Sequence, residues 1–341
     1  MPFSRLSIQW KITLLAGLCL LVIVSLLVAT SLYQARNSAE LVKSSSTQML
    51  EQAAQLRMQA RAEAQALEIK AYFVDAYQYG KGFSRQVMLL RAQAEKRFID
   101  AFDLREDMTN QVRSALEGNS DLLGLYVVFE ANALDGKDDL FVDQEKLGSN
   151  DKGRFALYWS QAKVGELEIS ALKESELADT TAGANGTPYN TWYTCPRNTK
   201  ATCVLDPYFD NVGGKQMLMT SIAFPLQLDG KVIGVIGIDI SLDNLQKLSM
   251  QAHKELYEGA GQVSIISSAG FLAGHSRDRQ MLGAPLNKAF TEQGVELLDI
   301  VKNGQSAALK HSDMQRILSP WQPVPNAKPW SVLLEVPNAV L

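Results

Sequence analysis

Histidine is scarce in this 341-residue chain: His253, His275 and His311 are the only three, and none lies near another His or Cys at ligand spacing. That leaves little material for a metal centre or a histidine-based catalytic set. Basic excess is missing too, because 33 Lys and Arg stand against 37 Asp and Glu for a net charge of −4. A nucleic-acid partner is therefore not expected. There is no G-x-S-x-G, H-E-x-x-H or Walker A segment, which speaks against an enzyme, and nothing calls for a metal or a cofactor. Proline is absent from residues 33–117, where the only glycines are Gly80 and Gly82. Such a stretch suits long helices.

Charge is absent from residues 12–32, a 21-residue apolar run (ITLLAGLCLLVIVSLLVATSL). As a helix rising about 1.5 Å per residue it covers the roughly 30 Å of a bilayer's hydrocarbon core. A cleaved signal peptide is the competing reading, but its apolar region is usually about 7–15 residues. Arg5 and Lys11 precede the run, whereas Arg36, Glu40 and Lys43 follow it, which favours a cytoplasmic N-terminus of residues 1–11. The cysteines bear on the same question. Cys19 lies in the run, while Cys195 and Cys203 bracket a short polar stretch, TCPRNTKATC. Outside the membrane such a bracket reads as a disulfide staple; the other reading is two unpaired small hydrophobes. Both signals place the body of the chain outside the cytoplasm.

Beyond the span, residues 33–118 read as a long stalk helix and a second helix. Leu41, Met49, Leu56, Met58, Leu67, Ile69 and Phe73 form an irregular apolar stripe on the first, and YQYGKGF (77–83) is expected to break it. The second helix is expected over 83–116. The period then changes. LLGLYVVFE (122–130) reads as a buried strand and RFALYWSQ (154–161) as another, with loop and short helix over 164–191. CVLDPYFD, KQMLMTSIAFPL and KVIGVIGIDISL supply three more strand candidates, the last two joined by the Asp229-Gly230 pair of a tight hairpin. A smaller second unit follows: a helix from Leu242, QVSIISSAGFLAGHS (262–276) with a turn at Ala269-Gly270, a helix over 287–301, and a closing strand over 330–336. The expected class is α+β: a membrane helix and long stalk helix, then two tandem modules with antiparallel sheets.

The order of these pieces resembles the double-Cache (PAS-like) sensor domains of bacterial methyl-accepting chemotaxis proteins. The likeness rests on GRFALYW (153–159), TWYTCP (191–196), DPYF (206–209), KQMLMTSIAFPL, GKVIGVIGIDISLDNLQ and VSIISSAGFLAGH. The resemblance implies a membrane-distal, ligand-binding module over 119–245 and a membrane-proximal one over 246–337. It also implies a second span, of which residues 338–341 are the start, and dimerisation through the long helix. The amino-acid-sensing branch of that family has a binding pattern whose Trp-Tyr pair falls on Trp192 and Tyr193, whose later Tyr falls on Tyr208, and whose amine-binding Asp falls on Asp239. Its carboxylate-clamping Arg falls on Asn190 and a further Tyr on Asn185. An amide cannot replace a guanidinium fork for bidentate carboxylate recognition, so an ordinary α-amino acid is the less expected ligand.

The residues themselves allow two readings at each place. Trp192, Tyr193 and Tyr208 can be core packing or a stacking surface. Asp239 interrupts an apolar strand, VIGVIGIDI, so its carboxylate either caps the helix beginning near Leu242 or meets a ligand amine. Tyr126 and Phe129, on the first strand, are candidates for the cavity floor, while Tyr158 and Trp159 read as structural. Aromatic faces, one acid and Asn amides suit a small nitrogenous ligand, a purine-like heterocycle or an amine, with Asn190's paired donor and acceptor tipping toward the purine. The expected function is non-catalytic sensing at the inner membrane, with a periplasmic body and a signal passed through the stalk. The sensor region of a histidine kinase or diguanylate cyclase is the alternative.

Overall fold

The computed structural model describes residues 7–291 and 293–341, so residues 1–6 of the expected cytoplasmic segment lie outside it. The chain forms two compact units, one ending at Arg57 and the other Met58–Leu341. Helix α1 runs Ile8–Arg97. In the first unit its side chains are exposed all round, Leu15 and Leu27 among them, and its N-terminal part is long and apolar enough to cross a membrane. A helix that is apolar on every face suits lipid better than water.

In the second unit α1 buries a single face. Met58, Ala62, Ala66, Ile69, Phe73, Ala76, Gly80, Phe83 and Val87 recur at intervals of three and four and are all inaccessible to solvent. Met58, Ile69 and Phe73 of the expected stripe are buried, whereas Leu56 and Leu67 are exposed, because Ala62, Ala66 and Ala76 fill the intervening positions of the buried face. The expected break at 77–83 does not occur. Gly80 stays helical, and a Cβ there would come within 2.4 Å of the Phe224 ring, so this glycine serves close packing. The chain turns instead at Phe98, whose φ is +56°, and Asp100 caps α2 (Ala101–Glu117) by accepting from Phe102 N at 2.8 Å.

The first sheet contains β1 (Gly124–Phe129), β2 (Ala156–Gln161), β3 (Leu167–Ala171), β4 (Cys203–Val204), β5 (Tyr208–Val212), β6 (Lys215–Leu228) and β7 (Lys231–Ser241). Its order is β3-β2-β1-β7-β6-β4, with β5 also on β6, and every pairing is antiparallel. Asp229 and Gly230 both take positive φ in the β6–β7 turn, as a two-residue hairpin of this hand needs. Short α3 (Glu174–Leu177) and α4 (Thr191–Thr199) lie in the excursion between β3 and β4. The strand β3 falls within a stretch expected to be loop and helix.

Helix α5 (Leu242–Glu255) leads to a second, five-stranded antiparallel sheet. Its strands are β8 (Gln262–Ile266), β9 (Leu272–His275), β10 (Ala307–His311), β11 (Met314–Trp321) and β12 (Trp330–Pro337), in the order β10-β11-β12-β8-β9. The helix expected over 287–301 is two, α6 (Leu286–Ala289) and α7 (Gly294–Lys302). One face of each sheet joins α1 in a common core: Ile236, Ile238 and Ile240 from β7, Val332, Leu334 and Val336 from β12. Phe73 packs edge-on against Trp321 and Trp330 at 5.1 and 5.2 Å. The sheets are also tied directly, since Asp206 Oδ1 accepts from Ala269 N at 3.1 Å.

Candidate functional site

Strand alternation decides which side chains can meet. On β1 Tyr126 and Val128 point to one face, while Leu125, Val127 and Phe129 point to the other, with α1. Phe129 therefore cannot share a cavity floor with Tyr126: residues three apart on a strand face opposite ways, and Phe129 packs on Phe155 inside the α1 core. That expectation is corrected.

The face turned away from α1 gathers the other aromatic candidates. Tyr126, Tyr158, Trp192 and Tyr193 are each at most 6% exposed, and the partly buried Tyr208 packs against them. The Tyr126 ring lies flat on Gly237, where any Cβ would come within 2.0 Å of it, and its hydroxyl donates to the Trp192 carbonyl at 3.1 Å. Trp192 meets Tyr126 edge-on at 5.0 Å. Tyr193 sits at the margin: its hydroxyl donates to Glu130 Oε1 at 2.6 Å, and Arg197 pairs with the same carboxylate oxygen. Burial and Glu130 push the Tyr193 phenol up to about 12. Cys195 and Cys203 are joined by a disulfide, which ties α4 to β4 beside the cluster.

Asp239 lies in this cluster on β7, 2% exposed, opposite Gly124 on β1 and Ser221 on β6. It does not cap α5; Ser241 does, accepting from Asp243 N at 3.2 Å. The Ser221 hydroxyl donates to Asp239 Oδ1 at 2.5 Å. With that proton committed, the Tyr208 hydroxyl donates to Ser221 Oγ at 2.7 Å, making a relay of three. Burial, with a smaller push from the nearby Asp210 charge, raises the Asp239 carboxyl to about 7 against the lowering effect of the Ser221 and Tyr158 hydroxyls. The Tyr158 hydroxyl turns toward Asp239 and helps hold its carboxylate, while the Trp192 indole N–H is buried in the same cluster without a hydrogen-bond partner. A buried donor left unpaired costs on the order of 1–3 kcal/mol.

Neither Asn meets this cluster through a free amide. Asn190 is buried, but its Nδ2 donates to the Leu177 carbonyl at 2.9 Å. Asn185 Nδ2 donates to the Pro207 carbonyl at 2.9 Å, and its Oδ1 accepts from Thr187 N and Oγ1. Each amide thus spends one of its two N–H donors on a loop carbonyl. The sequence reading passed over Asp210. Two residues beyond Tyr208 on β5 it faces the same way; it accepts from the Tyr189 hydroxyl at 2.8 Å, and burial raises its carboxyl. Strand alternation from Tyr208 was the available signal. Tyr158, read as structural, lies directly across from Tyr126 on β2.

Comparison with known proteins follows this geometry closely. Residues 108–247 match the family model described as methyl-accepting chemotaxis protein-like, first PDC sensor domain. The whole chain is 63% identical to the methyl-accepting chemotaxis protein TlpQ of Pseudomonas aeruginosa and spans 48% of that protein's length. Among solved structures, the extracellular domain of the putative histidine kinase mmHK1S-Z3 superposes with a TM-score of 0.64 at 20% identity, over 86% of this chain and 96% of that one. The periplasmic sensory domain of the Campylobacter jejuni chemoreceptor Tlp1 gives 0.59 at 14% identity, over 83% and 94%. The ligand-binding domain of Pseudomonas fluorescens CtaA, solved with L-isoleucine, gives 0.52 at 14% identity, over 86% and 95%.

Proposed function

From a chain that belongs to the double-Cache sensor domains of methyl-accepting chemotaxis proteins, we propose a receptor for a small amine bound by Asp239 in the first module. In this reading residues 12–32 span the inner membrane, the body lies in the periplasm, 119–245 form the distal module and 246–337 the proximal one. The observation that carries the ligand class is the pair of acids. Asp239 and Asp210 both sit on the aromatic face with their carboxyls raised by burial, and the Asp210 charge adds to the cost of ionising Asp239. A cation repays that cost; a neutral heterocycle does not. Tyr126, Trp192 and Tyr208 supply ring faces and edges for its apolar or cationic part. A purine is the second choice, since Asn190 already spends one of its two N–H donors on the Leu177 carbonyl.

An α-amino acid is also disfavoured. Asn190 stands where the amino-acid branch carries its guanidinium, and the likeness to CtaA at 14% identity concerns the fold. Ligand contact at Tyr208 and Asp239 has a short route outward: Asp206, two residues before Tyr208, holds the second sheet's turn, and α5 begins three residues after Asp239. A small displacement there biases the second sheet and α1 together. Chemotaxis is proposed as the output over a histidine kinase or diguanylate cyclase because the 63% identical relative is a chemotaxis protein.

The test is calorimetric titration of the full chain in detergent micelles with an alkylamine, a short alkyl diamine, adenine and L-alanine. Heat from the amines alone supports the reading. Tight binding of adenine or alanine with no amine response overturns it.

A further inference from the structure

The two sheets place an acid at the same topological position. Asp239 is the third residue from the end of β7 and pairs with the first residue of β1, Gly124. Glu335 is the third residue from the end of β12 and pairs with the first residue of β8, Gln262. Each lies on the central strand of its sheet, and each points to the face opposite α1, since Ile238, Ile240, Leu334 and Val336 beside them belong to the α1 core. Both are buried, at 2% and 4% exposure.

What stands beside the acid differs. The residue across from Asp239 on β6 is Ser221, which is short and uncharged; the residue across from Glu335 on β11 is Arg316. The Arg316 Nε lies 2.8 Å from Glu335 Oε1, with both side chains at most 10% exposed. Its Nη1 donates to Gln293 Oε1, and its guanidinium carbon lies 5.3 Å from the centre of the Phe290 ring. A carboxylate, an amide oxygen and an aromatic face thus surround a planar cation at the wall of a cavity of about 190 Å3.

We propose that the second module carries a cation site of the same plan as the first, occupied by its own arginine. Arg316 is a tethered ligand. It neutralises the acid that would otherwise recruit an amine, keeps the second module in one conformation, and leaves amine sensing to the first module alone. Taking the guanidinium off its tether exposes a site for a free guanidinium ion. This inference uses the amine reading of Asp239 only as a comparison and stands or falls separately.

The experiment uses the full chain in detergent micelles on an Asp239→Asn background, which removes the first module's acid. Thermal unfolding of Arg316→Ala is followed with 0 to about 20 mM guanidinium or methylguanidinium chloride, far below denaturing concentration, against sodium chloride at equal ionic strength. The expected result is a lowered midpoint that recovers by about 2–4 °C near saturation, while the chain with Arg316 intact moves by less than about 1 °C. Glu335→Gln added to Arg316→Ala abolishes the recovery. If Arg316→Ala shows no cooperative transition without the cation, its appearance on adding guanidinium counts as recovery, and Arg316→Gln, which keeps an amide donor toward Glu335, gives the same reading in a folded chain. Overturning results are an equal response with Arg316 intact, a recovery that survives Glu335→Gln, or no guanidinium effect in either the Ala or the Gln variant. A failed amine titration at Asp239 leaves each of these outcomes readable.

Discussion

The first sheet leaves its buried acid with uncharged hydroxyls, and the second gives its buried acid a guanidinium. Sheets of like plan, packed on one helix, therefore differ in whether the charge is settled within the chain. An acid answered internally is part of the scaffold, because its charge has nothing further to gain. An acid left with a raised carboxyl near 7 and no cation beside it stores free energy that a cationic ligand can recover. On the proposed reading, the contrast assigns sensing to the first sheet.

The largest effect that could break the contrast belongs to Glu335→Gln. It leaves the Arg316 charge buried without the Glu335 carboxylate, so denaturant unfolding should show a loss of about 3–5 kcal/mol, while amine affinity stays within about twofold. An Arg316→Met, Glu335→Gln pair should regain most of that loss. Asp239→Asn should behave oppositely. A carboxyl raised to about 7 in the fold gives stability that is full below the unfolded value near 4 and is lost as pH rises through about 7. Removing it should raise the unfolding midpoint at pH 8, with a ceiling on the order of 4 kcal/mol, and cost amine affinity about 30-fold or more by calorimetry. The smallest effect is that of Asp210→Asn. Loss of its charge lowers the Asp239 carboxyl, which carbon NMR of the labelled side chain would show, and weakens a diamine by about tenfold but a monoamine by less.

Much of this architecture is legible in the sequence where pattern and packing agree. The apolar run GLYVVF gives β1, and Asp229-Gly230 marks its hairpin because only a turn with two positive φ values joins β6 to β7. Strands β10 and β11 are harder to see: AALKH and MQRILSPW mix charge, proline and apolar residues, and their identity comes from pairing, β11 with β12 and β10 with β11, rather than from local preference. The unbroken α1 across Gly80 depends on Phe224, more than a hundred residues away, and no local rule anticipates it. At the site, Asp239 stands out as a charge in an apolar strand, and the aromatic set follows from the family pattern. Phe129 was assigned against the period of two that excludes it. Asn185 and Asn190 enter through the family pattern, and their bonds to the carbonyls of Pro207 and Leu177, 22 and 13 residues away, are not legible in the sequence. The importance of Ser221 and Arg316 emerges only when the two sheets are set in register.

The account rests on an ionised Asp239 receiving a cation, so the most direct measurement is amine affinity as a function of pH between 6 and 8.5, by calorimetry on the full chain and on Asp239→Asn. The account predicts affinity that climbs as pH rises through about 7 and levels off above it, protons released on binding below 7, and neither behaviour in the variant. Affinity that is flat across this range and unchanged by Asp239→Asn would contradict it.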